Sequence, residues 1–594
     1  MFSQVYYYRL LKTECRTFLC NISMFPCSGI HVDSPPIIPT LTTSYVHGTS
    51  STSLLHATLG ECLLRTVERW PDREAVVFVQ DGVRKTFAQF QQEVDQAAAG
   101  LLALGLKKGD RLGMWGPNIY EWILFQFATA KAGVILVSVN PAYQVKEVEL
   151  ALRKVGCKAV VCPTQFRTQK YCDMLRQICP EIESSSPGHI KSTRLPDLRS
   201  VIVLDSRQPG MFHFEDVMQA GSSQFVQQLQ DLQKKLLFDD PINIQFTSGT
   251  TGSPKGATLS HHNIVNNAYF IGKRPHTRIC VPVPLYHCFG SVGGGVCMGV
   301  HGTSLIFPSA GYDGKANLAA LESERCTFIY GTPTMYIDMV NQPDLAKYDL
   351  SVEAGIMAGS PCPPEVVKDV ISLMGIKGII IAYGTTENSP VTFCSSPTDN
   401  LERKSETVGY IGDHLEAKIV NPTTGEVLPL GMMGEIMIRG YCVMLEYWGD
   451  EAKTQEAISK DGWYKTGDIG RMDAYSYCRI EGRIKDMIIR GGENIYPAEI
   501  EQFLHTHPKV KEAQVVGVED ARMGEEVCAC IKLVEGQDCM AEEIKDYCKG
   551  QIARFKIPRY ILFVTSYPLT VTGKIQKIHL RAEAEKQLGL KKGK

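Results

Sequence analysis

Residues 247–256 read TSGTTGSPKG and bring three glycines and one lysine into ten positions. Because glycine adopts backbone angles barred to other residues, Gly249, Gly252 and Gly256 let backbone amides approach a ligand closely. Lys255 adds a mobile cation to these amides. Hydroxyl donors are supplied by Thr247, Ser248, Thr250, Thr251 and Ser253. Together these groups predict a cradle for polyphosphate oxygens.

The stretch differs from the phosphate loop of P-loop nucleotidases, which reads G-x-x-x-x-G-K-[ST]. Here Pro254 precedes Lys255, and Gly256 stands where that motif has its Mg²⁺-binding hydroxyl. Proline also has no amide hydrogen to offer a phosphate. A Walker-type nucleotidase is therefore disfavoured. A flexible surface turn would not need so many hydroxyl groups beside a lysine.

On the N-terminal side of this stretch, segments with helical periodicity alternate with short apolar runs. Residues 87–106 and 121–133 have helical spacing, and 111–116, 134–140 and 158–163 are short apolar runs. This alternation predicts a largely parallel α/β sheet with helices on both faces.

A second style of sequence begins near residue 409, where short strands are separated by glycine turns. GEIMIRG (434–440), YKTGDIG (464–470) and YCRIEGR (477–483) predict a small barrel or an antiparallel sheet. After Arg483, a tail of about one hundred residues has its own helix and strands. It fits a small α+β domain hinged to a large one. We therefore expect a large domain at 51–482 and a small mobile domain at 483–594.

The first residues have a different character from the rest of the chain. Arg9, Lys12 and Arg16 would share one face of a helix, against a single acid, Glu14. This pattern is typical of a mitochondrial presequence, so 1–50 is expected to be a presequence followed by a linker rich in serine, threonine and proline. The mitochondrial matrix is then the expected location. A disordered tail or an alternative start is the other interpretation, with a cytoplasmic location.

Composition narrows the class of protein further. The 594 residues are 44% hydrophobic and 21% charged, with a net charge of −2, as in an ordinary globular protein. We expect no nucleic-acid partner and no membrane span, while homo-oligomer formation stays open. The 20 cysteines show no C-x-x-C spacing, which favours reduced structural thiols over a disulfide scaffold or zinc site. Cys528 and Cys530 would share one buried strand face.

Several further motifs follow the phosphate-loop stretch in order. They are YGTTE (383–387), GEIMIRG (434–440), YKTGDI (464–469), GRIKDMIIRGGENIYPAEIE (482–501) and PLTVTGKIQK (568–577). With TSGTTGSPKG, this ordered set resembles the adenylate-forming (AMP-binding) enzymes, a family that includes acyl-CoA synthetases, luciferases and peptide-synthetase adenylation domains. The resemblance runs from about residue 55 to about 580 and is strongest to mitochondrial medium-chain acyl-CoA synthetases.

The resemblance implies a fold and a two-step reaction. The fold would be α/β, with a large N-terminal adenylate-forming domain of parallel α/β subdomains and a small β-barrel-like subdomain, followed by a smaller mobile α+β domain. A carboxylate would attack the α-phosphate of ATP, giving an acyl-adenylate and pyrophosphate. The thiol of CoA would then displace AMP. ATP, Mg²⁺, CoA and a small carboxylic acid are the expected ligands.

The resemblance also assigns residues to the adenylation step. Lys574 would bridge the carboxylate and the α-phosphate, Thr386 would touch that phosphate, and Glu387 would be the Mg²⁺ ligand. His287 in PLYHCFG (284–290) would border the carboxylate. Taken alone, Lys574 fits an ordinary exposed loop, Glu387 a helix cap and His287 a structural histidine.

Other positions would hold the nucleoside and the thiol. Asp468 would accept hydrogen bonds from the ribose diol, and Arg483 would add a charged contact. The adenine pocket would be lined by Gly359, Ser360 and Tyr383, although Tyr383 is an equal candidate for the core. Lys485 aligns with the family's hinge. Gly491 and Gly492 would face the pantetheine, or simply form a tight turn.

The acyl pocket and the acceptor are less well defined by the sequence. Acetate-selective relatives carry tryptophan where this chain has Gly384, so glycine suggests a deeper acyl pocket. The chain ends twenty residues after Lys574, which favours free CoA over a tethered carrier, although a separate carrier protein stays possible. A luciferase-like oxygenase and a non-catalytic nucleotide-binding protein are the rival functions. The second is disfavoured because the chain retains all of the residues assigned by the resemblance to ATP and the metal: Lys255, Glu387, Asp468, Arg483 and Lys574.

Overall fold

The computed structural model describes residues 41–247, 254–272, 278–360, 362–491, 493–569 and 575–590. The presequence-like residues 1–40 lie outside these ranges. So do several residues of the predicted site, namely Ser248, Gly249, Thr250, Thr251, Gly252, Gly492 and Lys574.

The strands and helices of the described residues alternate along most of the chain. The strands are β1 Tyr45–His47, β2 Glu74–Phe78, β3 Val83–Thr86, β4 Arg111–Trp115, β5 Ile135–Val139, β6 Ala159–Cys162, β7 Ser200–Val203, β8 Phe212–His213, β9 Pro241–Thr247, β10 Lys255–Ser260, β11 Arg278–Cys280, β12 Ser304–Phe307, β13 Phe328–Gly331, β14 Ala354–Ala358, β15 Gly378–Gly384, β16 Val391–Cys394, β17 Tyr410–Ile411, β18 Leu415–Val420, β19 Gly434–Gly440, β20 Glu446–Tyr447, β21 Tyr464–Met472, β22 Cys478–Arg483, β23 Ile488–Arg490, β24 Glu493–Ile495, β25 Val510–Asp520, β26 Gly524–Leu533 and β27 Tyr560–Phe563. The α-helices are Leu59–Arg69, Phe87–Ala103, Tyr120–Lys131, Val145–Val155, Tyr171–Ile178, Phe214–Ala220, Ser223–Gln233, His261–Ile271, Cys288–Gly290, Cys297–His301, Gly314–Ser323, Pro333–Val340, Pro364–Leu373, Leu401–Glu406, Glu451–Ala457, Pro497–Leu504, Ala541–Cys548 and Lys577–Gln587.

Two large sheets form the body of the molecule. One has eight strands in the order β20-β10-β9-β5-β4-β6-β7-β8, and the other nine in the order β17-β16-β15-β14-β13-β11-β12-β2-β3. Parallel pairing runs through the interior of both sheets, and antiparallel pairs lie towards their edges. The predicted parallel α/β architecture is confirmed.

The helix Tyr120–Lys131 lies in the hydrophobic cluster shared by both large sheets. Its sequence, YEWILFQFATAK, is apolar on every side, and eleven of its twelve residues are buried. A helix that is hydrophobic all round needs packing partners on all sides. Within it, Gln126 donates to the carbonyl of Ser291 at 3.0 Å, and Lys131 pairs with Asp95.

The third sheet is antiparallel, with the order β1-β18-β19-β21-β22. It contains the three glycine-punctuated segments for which the sequence predicted a barrel or an antiparallel sheet. Its edge strand corrects one prediction. Tyr45–His47, which composition placed in a linker, pairs with β18 and buries Val46. Three residues are too few for their alternation to stand out among the neighbouring serines and threonines.

The C-terminal sheet has the order β24-β23-β26-β25, with β27 parallel to β26. Cys528 and Cys530 lie on the same face of β26 and are buried with Tyr567, as predicted. The short turn Ile484–Asp486 links this sheet to the antiparallel one. Among the described residues, none of the helices combines the length and apolarity needed to cross a membrane.

Candidate active site

The predicted site residues gather where several chain segments end beside one another. β14 and β15 are parallel neighbours, so Gly359 and the segment 385–387 leave the same edge of the sheet. The carboxyl edge of parallel strands is the usual location of a ligand site in open α/β sheets. Residues of the β9–β10 hairpin and of the strands β21 and β22 complete the site.

The hairpin of β9 and β10 fixes both ends of the phosphate-loop stretch. Its register places Lys255 directly opposite Thr247. The ammonium group of Lys154, in the last turn of the helix Val145–Val155, donates to the carbonyl of Pro254 at 3.0 Å. Lys154 carries no motif signal and was not predicted.

Glu387 is a buried carboxylate held by one tyrosine. It is 8% exposed, and its Oε1 accepts a hydrogen bond from the hydroxyl of Tyr447 at 2.8 Å. The Lys255 ammonium lies 4.8 Å from the centre of the same tyrosine ring. No lysine or arginine of the described part of the chain forms an ion pair with Glu387. Because burying an unpaired carboxylate is costly, this position fits a divalent cation with oxygen ligands.

A second tyrosine extends this arrangement. Tyr464, at the start of β21, is also buried and is 4% exposed. Burial and the Glu387 carboxylate raise the pKa of Tyr464 well above its ordinary value. Burial and Glu387 also raise the pKa of Tyr447, so both phenols stay protonated. Thr386 is half-buried in the short turn Thr386–Asn388.

Asp468 links β15 to the antiparallel sheet. It is 4% exposed, its Oδ2 accepts from the Tyr383 hydroxyl at 2.6 Å, and its Oδ1 lies 3.2 Å from Nε of Arg483. Burial and the Asp468 carboxylate raise the pKa of Tyr383. A carboxylate has about four acceptor positions, so Asp468 keeps capacity for further donors. Tyr383 also packs beside Phe393, as expected of a core tyrosine, and its contact with adenine stays a prediction.

Positive charge gathers around this carboxylate. Arg483 is half exposed. Burial acts to lower its pKa, but the carboxylates of Asp468 and Asp486 outweigh that effect and raise it. Lys485, in the turn Ile484–Asp486, behaves in the opposite way: burial and the Arg483 guanidinium lower its pKa. The Lys255 ammonium adds to this lowering, so these cations lie within electrostatic range of one another.

Gly359 of the predicted adenine pocket and Gly384 of the predicted acyl pocket are glycine for different reasons. Gly359 ends β14 with φ of +93°, a conformation that favours glycine, and Ser360 beside it is half-buried. At Gly384 a Cβ atom would lie 1.7 Å from the carbonyl oxygen of Pro390. Close backbone approach therefore explains Gly384 without reference to an acyl tunnel, whose depth stays a prediction.

His287 begins the short helix Cys288–Gly290, and its surroundings connect to the phosphate hairpin. The His287 carbonyl accepts from the amide of Ser291 at 3.0 Å. Gln245 on β9 donates to the Ser291 hydroxyl at 3.0 Å and accepts from the Cys288 thiol at 3.0 Å. This buried network ties the acyl-side segment to the strand that ends at Thr247. Nothing in the sequence paired these positions.

Gly491 forms the turn between β23 and β24. Its φ is +59°, and its amide donates to the carbonyl of Met523 at 2.8 Å. These facts match the tight-turn interpretation. A Cβ atom at Gly491 would lie 2.4 Å from the methyl group of Met523, so little space separates Gly491 from this flexible side chain.

Sequence and structure comparisons lead to one family. Residues 63–448 match the family model of the AMP-binding enzyme, and residues 499–574 match the AMP-binding enzyme C-terminal domain. The chain is similar to "Medium-chain acyl-CoA ligase ACSF2, mitochondrial" of Danio rerio, with 73% identity over 98% of this chain and 100% of that protein. The protein of the same name from Homo sapiens is 56% identical over 92% of this chain and 91% of its own length.

A solved structure supports the same conclusion. The crystal structure of ATP bound MatB from Rhodopseudomonas palustris aligns with a TM-score of 0.79 and 27% identity, over 90% of this chain and 100% of that chain. The predicted fold class and acid–thiol ligase chemistry are confirmed. The chain belongs to the AMP-binding enzyme family, within its acyl-CoA ligases.

Proposed function

We propose that this chain activates a medium-chain fatty acid with ATP and Mg²⁺ in the mitochondrial matrix and transfers the acyl group to CoA. The observation that carries the proposal is one line of contacts across the site. Lys255 contacts the ring of Tyr447, whose hydroxyl donates to Glu387. Beside this line, Asp468 contacts both Tyr383 and Arg483. These are the side chains that triphosphate, a divalent cation and ribose require.

The first half-reaction needs charge stabilisation at the α-phosphate. Lys255 and the hydroxyl groups of Thr247, Ser248, Thr250 and Thr251 would hold the β- and γ-phosphates, so that pyrophosphate leaves from a fixed position. Mg²⁺ held by Glu387 would neutralise charge on the phosphates. Thr386 and Lys574 are assigned to the α-phosphate, and His287 to the carboxylate.

Asp468 and Arg483 are assigned to the ribose. Gly359 and Ser360, at the end of β14, and Tyr383 are assigned to the adenine side, and Gly249 and Gly252 to the phosphate loop. For the second half-reaction, the domain 483–594 would turn about Lys485, and Gly491 and Gly492 would face the pantetheine. The turn Ile484–Asp486, between two separate sheets, is a suitable place for such a hinge.

Chain length and location rest on the relatives. The matched ligases are named medium-chain and mitochondrial, and the basic helical face predicted for Arg9, Lys12 and Arg16 agrees with import. Each methylene contributes only about 1 kcal/mol to binding, so selectivity between neighbouring chain lengths should be gradual.

The deciding experiment is acid-dependent exchange of labelled pyrophosphate into ATP. Acids from acetate to palmitate are compared, and the CoA thioester is then detected by mass spectrometry. We expect the greatest exchange with octanoate and its neighbours, and none without acid. Absence of exchange with every acid would refute the proposal. Oxygen uptake that depends on the adenylate would instead identify an oxygenase.

Lys574→Ala tests the catalytic assignment. It should abolish exchange and leave the affinity for ATP nearly unchanged, because its ammonium is assigned to the attack and not to binding. Lys586→Ala, an exposed lysine in the last turn of the C-terminal helix, is the matched control. Normal exchange by Lys574→Ala would show that the assignment is wrong.

A further inference from the structure

Tyr447 occupies a fixed place beside the phosphate hairpin. It lies on the two-residue strand β20, opposite Ala257 of β10. Its amide donates to the Thr454 hydroxyl at 2.9 Å, and the next amide, of Trp448, donates to the carbonyl of Gly256 at 2.8 Å. Since the side chain is 4% exposed, the ring has little freedom to leave this position.

The Tyr447 hydroxyl and the neighbouring backbone hold Glu387 at both ends. The carboxylate Oε1 accepts from the phenol at 2.8 Å, and the Glu387 carbonyl accepts from the amide of Met444 at 2.8 Å. The other carboxylate oxygen, Oε2, has no hydrogen-bond donor among the described residues. The phenol therefore occupies Oε1 and fixes the carboxylate, and Oε2 remains available for a cation.

The face of the same ring supports a different group. Lys255 Nζ lies 4.8 Å from the ring centre, within the range of a cation–π interaction. The ring face and the hydroxyl thus act on two separate partners. A phenylalanine at this position would keep the cation–π interaction with Lys255 and lose the hydrogen bond to Glu387.

We infer that Tyr447 is a positioning residue that orients Glu387 for the divalent cation through its hydroxyl and Lys255 for the ATP phosphates through its ring. The inference rests on the proposed role of Glu387. Groups that orient metal ligands typically change metal affinity or activity by about 10- to 100-fold when they are removed.

The test measures Mn²⁺ binding by electron paramagnetic resonance, in the presence of a non-hydrolysable ATP analogue and without acid or CoA. Tyr447→Phe should weaken Mn²⁺ binding about tenfold. Its pyrophosphate exchange should fall at limiting Mg²⁺ and recover as the Mg²⁺ concentration is raised. Tyr447→Leu should weaken Mn²⁺ binding equally and also raise the KM for ATP, because it removes the ring below Lys255.

Tyr477→Phe is the matched control. Tyr477 is also a buried tyrosine whose hydroxyl donates to a carboxylate, Asp399, at 2.7 Å, but it lies in the cluster of the antiparallel sheet. Its loss should lower the melting temperature and leave Mn²⁺ affinity unchanged. Equal Mn²⁺ affinity in Tyr447→Phe and the unmodified enzyme would overturn the inference.

Two further variants separate this inference from the proposed function. In a Glu387→Gln background, Tyr447→Phe should cause no additional loss of Mn²⁺ affinity, and an independent loss would contradict an action through Glu387. Unchanged Mn²⁺ affinity in Glu387→Gln refutes the metal role itself, whatever the exchange assay shows.

Discussion

Asp468→Asn offers a sharp test of the ribose assignment, because it changes charge without changing shape. The asparagine oxygen can still accept from the Tyr383 hydroxyl, which is 2.6 Å from Oδ2 of the aspartate. Its amide group then takes the place of Oδ1, which lies 3.2 Å from Arg483. Two donors would face each other there, and only one acceptor oxygen would remain for the ribose hydroxyls.

The magnitude follows from these contacts. Loss of the ion pair with a half-exposed arginine costs up to about 1 kcal/mol. Loss of a hydrogen bond between a ribose hydroxyl and a charged acceptor costs about 1.5–3 kcal/mol. Because the first cost falls on the free protein as well, ATP binding should weaken by about 1.5–3 kcal/mol, or about 10- to 150-fold.

The assay is the KM for ATP in pyrophosphate exchange with saturating octanoate, together with the melting temperature. Asp399→Asn is the control, because Asp399 also accepts from a buried tyrosine, Tyr477, at 2.7 Å. Both variants should lower the melting temperature to a similar extent, while only Asp468→Asn should raise the KM. An unchanged KM in Asp468→Asn would refute the contact between Asp468 and the ribose.

Two further predictions concern His261 and Gly384. His261 is fully buried, and burial lowers its pKa to about 3. The unfolded chain therefore binds the extra proton below pH 6.5, and between pH 7 and pH 5 the free energy of unfolding should fall by about 2 kcal/mol. His261→Asn keeps an acceptor for the amide of Leu59 and should remove this dependence in urea titrations; an unchanged slope would contradict it. Gly384→Ala should lower the melting temperature and the activity towards all acids, since its Cβ would lie 1.7 Å from the Pro390 oxygen. Selective loss of activity towards longer acids at an unchanged melting temperature would instead support the acyl-tunnel interpretation.

The large-scale fold was predictable because its signals are local. Apolar runs and periodicity mark the helix Tyr120–Lys131 and its neighbouring strands, and both patterns depend on residues that are close together in the sequence. Tyr45–His47 was misassigned for the same reason, because its partner β18 is more than three hundred residues away. A strand this short exists only through that pairing.

The site was predictable where a motif marks it and not elsewhere. Glu387 and Asp468 stand in YGTTE and YKTGDI, whereas Tyr447 stands in EYWG, which has no motif signal. Its partner Glu387 is 60 positions away, so the hydrogen bond between them is visible only in three dimensions. Lys154 and Gln245 were missed for the same reason. Gly384 was located by a motif, but the reason for its glycine required the position of Pro390.

The buried helix Tyr120–Lys131 limits where this chain can be joined to a relative to make a folded chimera. Both large sheets pack around it, so a chimera that exchanged one sheet would have to rematch every side chain of the helix to a foreign surface. The C-terminal sheet has its own hydrophobic clusters, separate from that helix. Crossover points at Ile484–Asp486 should therefore yield folded hybrids far more often than crossover points inside the two large sheets.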